Sequence, residues 1–245
     1  MKLNYLTLSL AILMGFNSCS KDEDPMDTRT NANINGSVNL YDEATTLVDK
    51  SGMNVRVEGL TFTIEATTDT DGKFTLSAVP FGTYTLVYEK AGFGTYKLFE
   101  LNHSRSGAST NITNVPSLGQ TSSTQITDLT ASVNGSDVIL TITSNPGGSN
   151  GNSRYMRYFL SNSSDVSDQN YTYYSDVFVS SINPKEISLS ASALSAAGFS
   201  SGETVFVKAY GDSYWSNSYD DLDLERRVFP NLNPSSAAAV SFQMP

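Results

Sequence analysis

Few side chains in this sequence are equipped for chemistry. There is one histidine, His103, and one cysteine, Cys19. One of each excludes the tetrahedral zinc sets, which draw on several Cys and His. A Ser-His-Asp triad would have to use His103, and no nucleophile-elbow sequence stands near it. Two acidic runs offer the oxygens that a hard cation wants. Asp69-Thr70-Asp71-Gly72 begins like a calcium loop but lacks the closing Glu of an EF-hand, and it reads as a hairpin turn. Asp220, Asp221, Asp223 and Glu225 would bind calcium if a loop gathered them; Arg226 and Arg227 follow directly and offer charge compensation instead. Glycoside hydrolysis needs two carboxyls at a set separation across a cleft, and no motif places such a pair. The expectation is a protein without catalytic residues, bound metal or cofactor.

The aromatic residues are more suggestive. Asp212 to Tyr219 (DSYWSNSY) holds the only Trp, flanked by tyrosines, after a strong strand pattern. Tyr214, Trp215 and Tyr219 form one candidate ligand-binding group, and Tyr171, Tyr173 and Tyr174 a second. Loops at the end of a sandwich present binding residues, and the apolar faces of sugar rings stack on aromatic side chains. The other reading is that these rings close the rim of a small core or cover an edge strand.

Cys19 has a specific setting. Met1-Lys2 gives a positive start, and Leu6 to Phe16 is an apolar stretch too short to anchor as a membrane span. It ends in Phe16-Asn17-Ser18-Cys19, which resembles the lipobox of bacterial lipoproteins, with Phe16 where that family prefers Leu. The resemblance implies that residues 1–18 are a cleaved signal peptide. It also implies that the Cys19 thiol carries a lipid, with acyl chains such as palmitate adding about 0.8 kcal/mol of membrane affinity per buried CH₂. The following Ser20, Lys21, Asp22, Glu23 and Asp24 resemble the surface-export signal of lipoproteins in glycan-foraging Gram-negative bacteria. This implies an outer-membrane protein facing the cell exterior.

The formal charge is −10, from 15 Lys+Arg against 25 Asp+Glu. This argues against nucleic acid, whose binders carry a basic footprint, and against electrostatic attachment to anionic lipid. Ser, Thr, Asn and Gly fill the spaces between apolar residues and favour strands and turns over helices.

Residues 19–33 read as a lipidated, flexible acidic tether. From Ile34 the apolar residues alternate: Ile34, Val38 and Leu40; Phe62, Ile64 and Ala66; Phe74 and Leu76; Tyr84, Leu86 and Tyr88. Residues 34–115 form one expected β-sandwich, 116–123 a linker, and 124–245 a second sandwich, giving an all-β chain of two consecutive sandwich domains. In the second half Val138, Leu140 and Ile142 alternate, as do Val240, Phe242 and Met244, and Ser188 to Phe199 allows one short helix ending at Gly198.

Gly36-Ser37-Val38, Val55 to Gly59, Thr67 to Phe74, Val79 to Tyr84 and Ala91-Gly92-Phe93 resemble the carboxypeptidase regulatory-like domain. That resemblance implies a transthyretin-like sandwich acting as a non-catalytic module. Leu194 and the run Gly202 to Tyr210 resemble a fibronectin type III or immunoglobulin-like domain, with Val205 in place of its corner tyrosine. The layout is similar to that of lipoproteins in starch-utilisation-type systems. The expected function is non-catalytic glycan binding, or service to an outer-membrane transporter complex. The alternative is a structural or adhesive subunit that contacts proteins through β-edges. Replacing Cys19 with Ala should abolish palmitate labelling and membrane partitioning, because no other thiol can take the lipid; a variant that still labels and partitions would refute the lipoprotein reading.

Overall fold

The computed structural model describes residues 28–245; the expected signal peptide, the expected lipidation site Cys19 and the expected export signal 20–24 lie outside the described residues. The first half runs through β1 (Asn31–Ser37), β2 (Asn39–Tyr41), β3 (Asn54–Val57), β4 (Glu65–Thr67), β5 (Lys73–Pro80), β6 (Gly82–Glu89), β7 (Tyr96–His103), β8 (Ser109–Asn111) and β9 (Ser117–Gly119). A sheet in the order β5-β1-β8 faces an antiparallel sheet in the order β4-β3-β6-β7. Two pairings are parallel, β1 with β8 and β2 with β9. Between the sheets lie Ile34, Leu40, Met53, Val55, Leu76, Leu86, Tyr88 and Leu118, all fully buried.

Two boundaries differ from the sequence expectation. β1 begins at Asn31, inside the expected tether, because Ala32 already packs as a buried residue. The expected linker carries β9, whose Leu118 enters the first core. A single large apolar side chain in a Ser/Thr-rich run shows no period to read.

The second half runs through β10 (Gln125–Asn134), β11 (Asp137–Asn145), β12 (Arg154–Ser161), β13 (Tyr173–Tyr174), β14 (Phe178–Ser180), β15 (Lys185–Ser190), α1 (Ala191–Ala196), β16 (Thr204–Asp212), β17 (Tyr219–Asp221), β18 (Arg226–Val228) and β19 (Val240–Gln243). The sheet β10-β11-β15 packs on the sheet β13-β12-β16-β19, and β14 also pairs with β12. β11 shows the expected alternation, with Val138, Leu140 and Ile142 buried and their neighbours half-exposed. The expected helix forms as α1, capped by the Ser190 hydroxyl, which accepts from the Ala193 N–H at 3.2 Å. The described residues are thus all-β, two sandwiches in succession with one helix of six residues.

β12 is buried on both faces. Met156, Tyr158 and Leu160 enter the core between the sheets, while Phe159 on the opposite face is equally buried. The segment 213–239 between β16 and β19 folds back over that outer face and brings Phe229 to 5.1 Å from the Phe159 ring. Arg157, also on this face, donates from Nε to Asp212 at 2.9 Å, and its guanidinium also donates to the Ser175 carbonyl and lies 4.5 Å from the Phe229 centroid. Ion pair, carbonyl and ring together satisfy a charge that isolated burial would make costly.

The other residues flagged for chemistry have structural partners. His103 is buried, with Nε2 3.0 Å from the Val79 carbonyl and Nδ1 2.7 Å from the Thr110 hydroxyl. Asp69 accepts from the N–H groups of Asp71 at 2.9 Å and Lys73 at 2.8 Å, closing the expected hairpin turn. In the β17–β18 hairpin, Asp221 accepts from the N–H groups of Asp223 and Leu224, and Asp220 pairs with Arg227 at 3.3 Å. Among the described residues no three His, Cys, Asp or Glu side chains are grouped to hold a metal. Nor is any helix there long and apolar enough to cross a membrane.

Burial pushes the Asp212 carboxyl up to about 6, although Arg157 and the Ser213 N–H pull it down. An unfolded chain releases the same proton at about pH 4. Between these values the folded chain binds more protons, so this group favours folding at low pH and loses that contribution as pH rises through 6. Asp212→Asn removes the titration and leaves Arg157 facing a neutral partner at every pH. The stability of that variant relative to the parent should therefore rise by about 2 kcal/mol from pH 4 to 7 and then level off. Urea denaturation of both proteins across the range checks this, and a flat or falling difference contradicts it.

Candidate functional site

The loop Asp212 to Tyr219 lies at the junction of the two sandwiches, and its aromatics meet the first domain. Trp215 stacks on Tyr41, with ring centroids 5.0 Å apart and planes 29° apart. Tyr219 meets Tyr96 edge-on at 5.9 Å and Phe99 at 6.1 Å. Tyr214, half-exposed, sits between Trp215 and Tyr155 and makes edge contacts with both. Of these three rings, Trp215 and Tyr219 cover the first domain and Tyr214 faces solvent.

Two asparagines lock this junction. Asn217, on the loop, accepts from the Gly119 N–H at 2.7 Å and donates to the Gly119 carbonyl at 3.0 Å and the Gly94 carbonyl at 3.2 Å. Asn231 accepts from the Gly94 N–H at 3.0 Å and donates to the carbonyls of Gly119 at 3.0 Å and Trp215 at 2.8 Å. The two amides meet at 3.0 Å, and both residues are buried. Two glycine N–H donors facing the amide oxygens fix which way each amide points. Glycine is required at both places by close approach. A Cβ on Gly94 would stand 2.5 Å from the Pro230 carbonyl, and one on Gly119 would stand 2.4 Å from the Trp215 carbonyl.

The second aromatic group divides. Tyr171 joins the cover over β12, 5.3 Å from the Phe159 ring, with its hydroxyl donating to the Arg227 carbonyl at 3.1 Å. Tyr174 lies over the same cover, 5.0 Å from Phe229, and also borders solvent beside Tyr173 and Asp176. Tyr173 lines a groove of about 550 Å³ along the open side of the second sandwich, between β13–β14 and β15. Three rings form its floor: Tyr158 lies 6.3 Å from Tyr173 and 6.2 Å from Phe178. Asp176, Lys185 and Glu186 bring charges of both signs to its walls. Burial raises the Tyr158 hydroxyl, so it stays protonated and able to donate.

Of the six aromatics singled out by sequence, the structure leaves Tyr173 and Tyr174 beside this groove. It adds Tyr158, Phe178, Asp176 and Lys185, which sequence reading missed. Tyr158 carried the signal of a core residue through its alternation with Met156 and Leu160. Phe178 belongs to a strand of three residues, too short to show a period.

No family model matches the chain, and no curated protein matches it. Among solved structures it is similar to a candidate carbohydrate-binding protein from Bacteroides uniformis, at 14% identity over 87% of this chain and 99% of that one, with a TM-score of 0.31. A DUF3823 family protein from Parabacteroides merdae is similar at 13% identity over 87% of this chain and 98% of that one, with a TM-score of 0.28. A cohesin–X-dockerin complex from Acetivibrio cellulolyticus is similar at 22% identity over 37% of this chain, which spans 58% of that one, with a TM-score of 0.30. Likenesses this distant say nothing of what the present chain binds.

Asn231→Ala would strand the Gly94 N–H and the Trp215 carbonyl at a buried junction, each at a cost of about 1–3 kcal/mol, while the Gly119 carbonyl keeps its bond from Asn217. The expected result is a lower melting temperature and, in calorimetry, two transitions where the parent shows one. A single transition at the parent temperature would show that the amide pair does not hold the domains together.

Proposed function

We propose that the protein is a non-catalytic, lipid-anchored glycan-binding protein of a bacterial outer membrane, facing the cell exterior and serving a nutrient-uptake complex. The observation that carries this reading is the groove floored by Tyr158, Tyr173 and Phe178. Small-ligand sites are concave, mostly apolar, and lined by a few well-placed polar groups. A pyranose ring offers apolar C–H faces to such a floor, and its hydroxyls need acceptors and donors of the kind that Asp176, Glu186 and Lys185 supply. The non-catalytic reading is supported by His103, whose ring nitrogens both engage structural partners. The membrane address rests on Cys19 and the residues around it. Reading the first domain as carboxypeptidase regulatory-like is supported by its two-sheet order and its turn at Asp69.

A second reading, contact with another protein through a β-edge, rests on Val179 and Ile182. They are 53% and 58% exposed on and just after the short strand β14.

Affinity electrophoresis against a panel of soluble polysaccharides tests the proposal. The parent should be retarded in at least one gel, and Phe178→Ala and Asp176→Ala should lose the retardation. Asp176 is exposed, so its replacement should leave stability within about 0.5 kcal/mol of the parent and separate binding from folding. Migration unaffected by every polysaccharide would retire the glycan reading and leave the edge contact.

A further inference from the structure

A second cavity lies at the domain junction, away from the aromatic groove. It has a volume of about 210 Å³, and both domains line it: Asp42 and Glu43 after β2, Gln120 after β9, and Asn152, Arg154 and Tyr155 around the start of β12. We propose that this cleft binds a single sugar ring bearing a carboxylate, a hexuronic acid.

Unpaired polar groups carry the argument. The Arg154 guanidinium makes no hydrogen bond or ion pair among the described residues, and its Nε is shielded from solvent without a partner. A buried donor left unpaired is costly, and the side chain that carries it lines the cavity. Glu43, Gln120 and Asn152 present polar side chains to the same cavity. Asp42 uses one carboxylate oxygen to accept from the N–H groups of Ala44 at 2.8 Å and Thr46 at 3.0 Å; no described residue occupies the other. At the junction nearby Asn217 and Asn231 use their amide groups fully, and the buried Trp215 Nε1 is the other side-chain donor there without a partner among the described residues.

Each group narrows the ligand. A guanidinium pairs with a carboxylate through two parallel hydrogen bonds. The Asp42 and Glu43 carboxylates accept hydrogen bonds from hydroxyls, which offset their repulsion of an anionic ligand only when that ligand carries hydroxyls. The Gln120 and Asn152 amides both donate and accept, as adjacent sugar hydroxyls do. The Tyr155 ring supplies an apolar wall. The cavity is smaller than the range of about 300–1,000 Å³ typical of drug-sized ligands, which suits one ring. A neutral hexose would leave Arg154 unpaired, and acetate would leave the acids facing no donor.

Isothermal titration of residues 19–245 tests this with sodium galacturonate, glucose, sodium acetate and glycine. Galacturonate should bind, and the other three should bind at least tenfold more weakly. Arg154→Gln should weaken galacturonate at least tenfold. Arg154→Lys keeps the charge and loses the fork, so it should fall between the two and gives the readout if the Gln variant fails to fold. Asp176→Ala, in the aromatic groove, should leave galacturonate binding unchanged, so failure of the groove and failure of the cleft are distinguishable. The proposal is overturned if galacturonate does not bind, if it binds the Arg154 variants as tightly as the parent, or if glycine binds equally well, which would mark a site for zwitterions.

Discussion

At the centre of the junction between the two sandwiches stand the paired side-chain amides of Asn217 and Asn231, flanked by the stacking of Trp215 on Tyr41 and of Tyr219 against Tyr96 and Phe99. Between them the two amides engage the backbone of Gly94 and Gly119 in the first domain and of Trp215 in the second. The contact is neutral. It therefore draws little strength from charge and is insensitive to the salt screening that weakens surface ion pairs. Its strength comes from burial, because a displaced amide would leave several backbone groups unpaired away from water. The same segment also covers the outer face of β12. Positioning the first domain and completing the second are thus tasks of one stretch of chain.

Strands were readable from the sequence because a period of two is a local property. Val138, Leu140 and Ile142 declare their shared face within five residues, and so do Leu86 and Tyr88. The turn at Asp69 and the cap at Ser190 were readable for the same reason, since each is made by a side chain bonding a few residues away. The junction was not. Asn217 and Asn231 look like ordinary turn residues, and the glycines they hold lie 98 and 137 positions away in sequence. The density of aromatics around Trp215 was a true signal of a surface to be covered, and the first domain covers it. β12 was readable as a strand with aromatics on both faces, and both faces are buried.

Both candidate ligand sites draw on β12. Arg154 and Tyr155 open the strand at the junction cleft, and Tyr158 lies under the aromatic groove. β12 pairs with β13, β14 and β16 and is packed on both faces, so its side chains stand on an element held from every side. Sites built on such strands hold their geometry better than sites carried by loops.

The position of β1 bears on how this fold would carry tension. The chain emerges from its N-terminal side directly into a strand flanked by β5 on one edge and β8 on the other. A pull along that strand cannot peel hydrogen bonds off one at a time, as it would at a sheet margin. It loads two ladders together, sliding β1 lengthwise past both neighbours, with Ile34 drawn out of the core in the same movement. A chain pulled from that end would thus load both ladders of β1 at once.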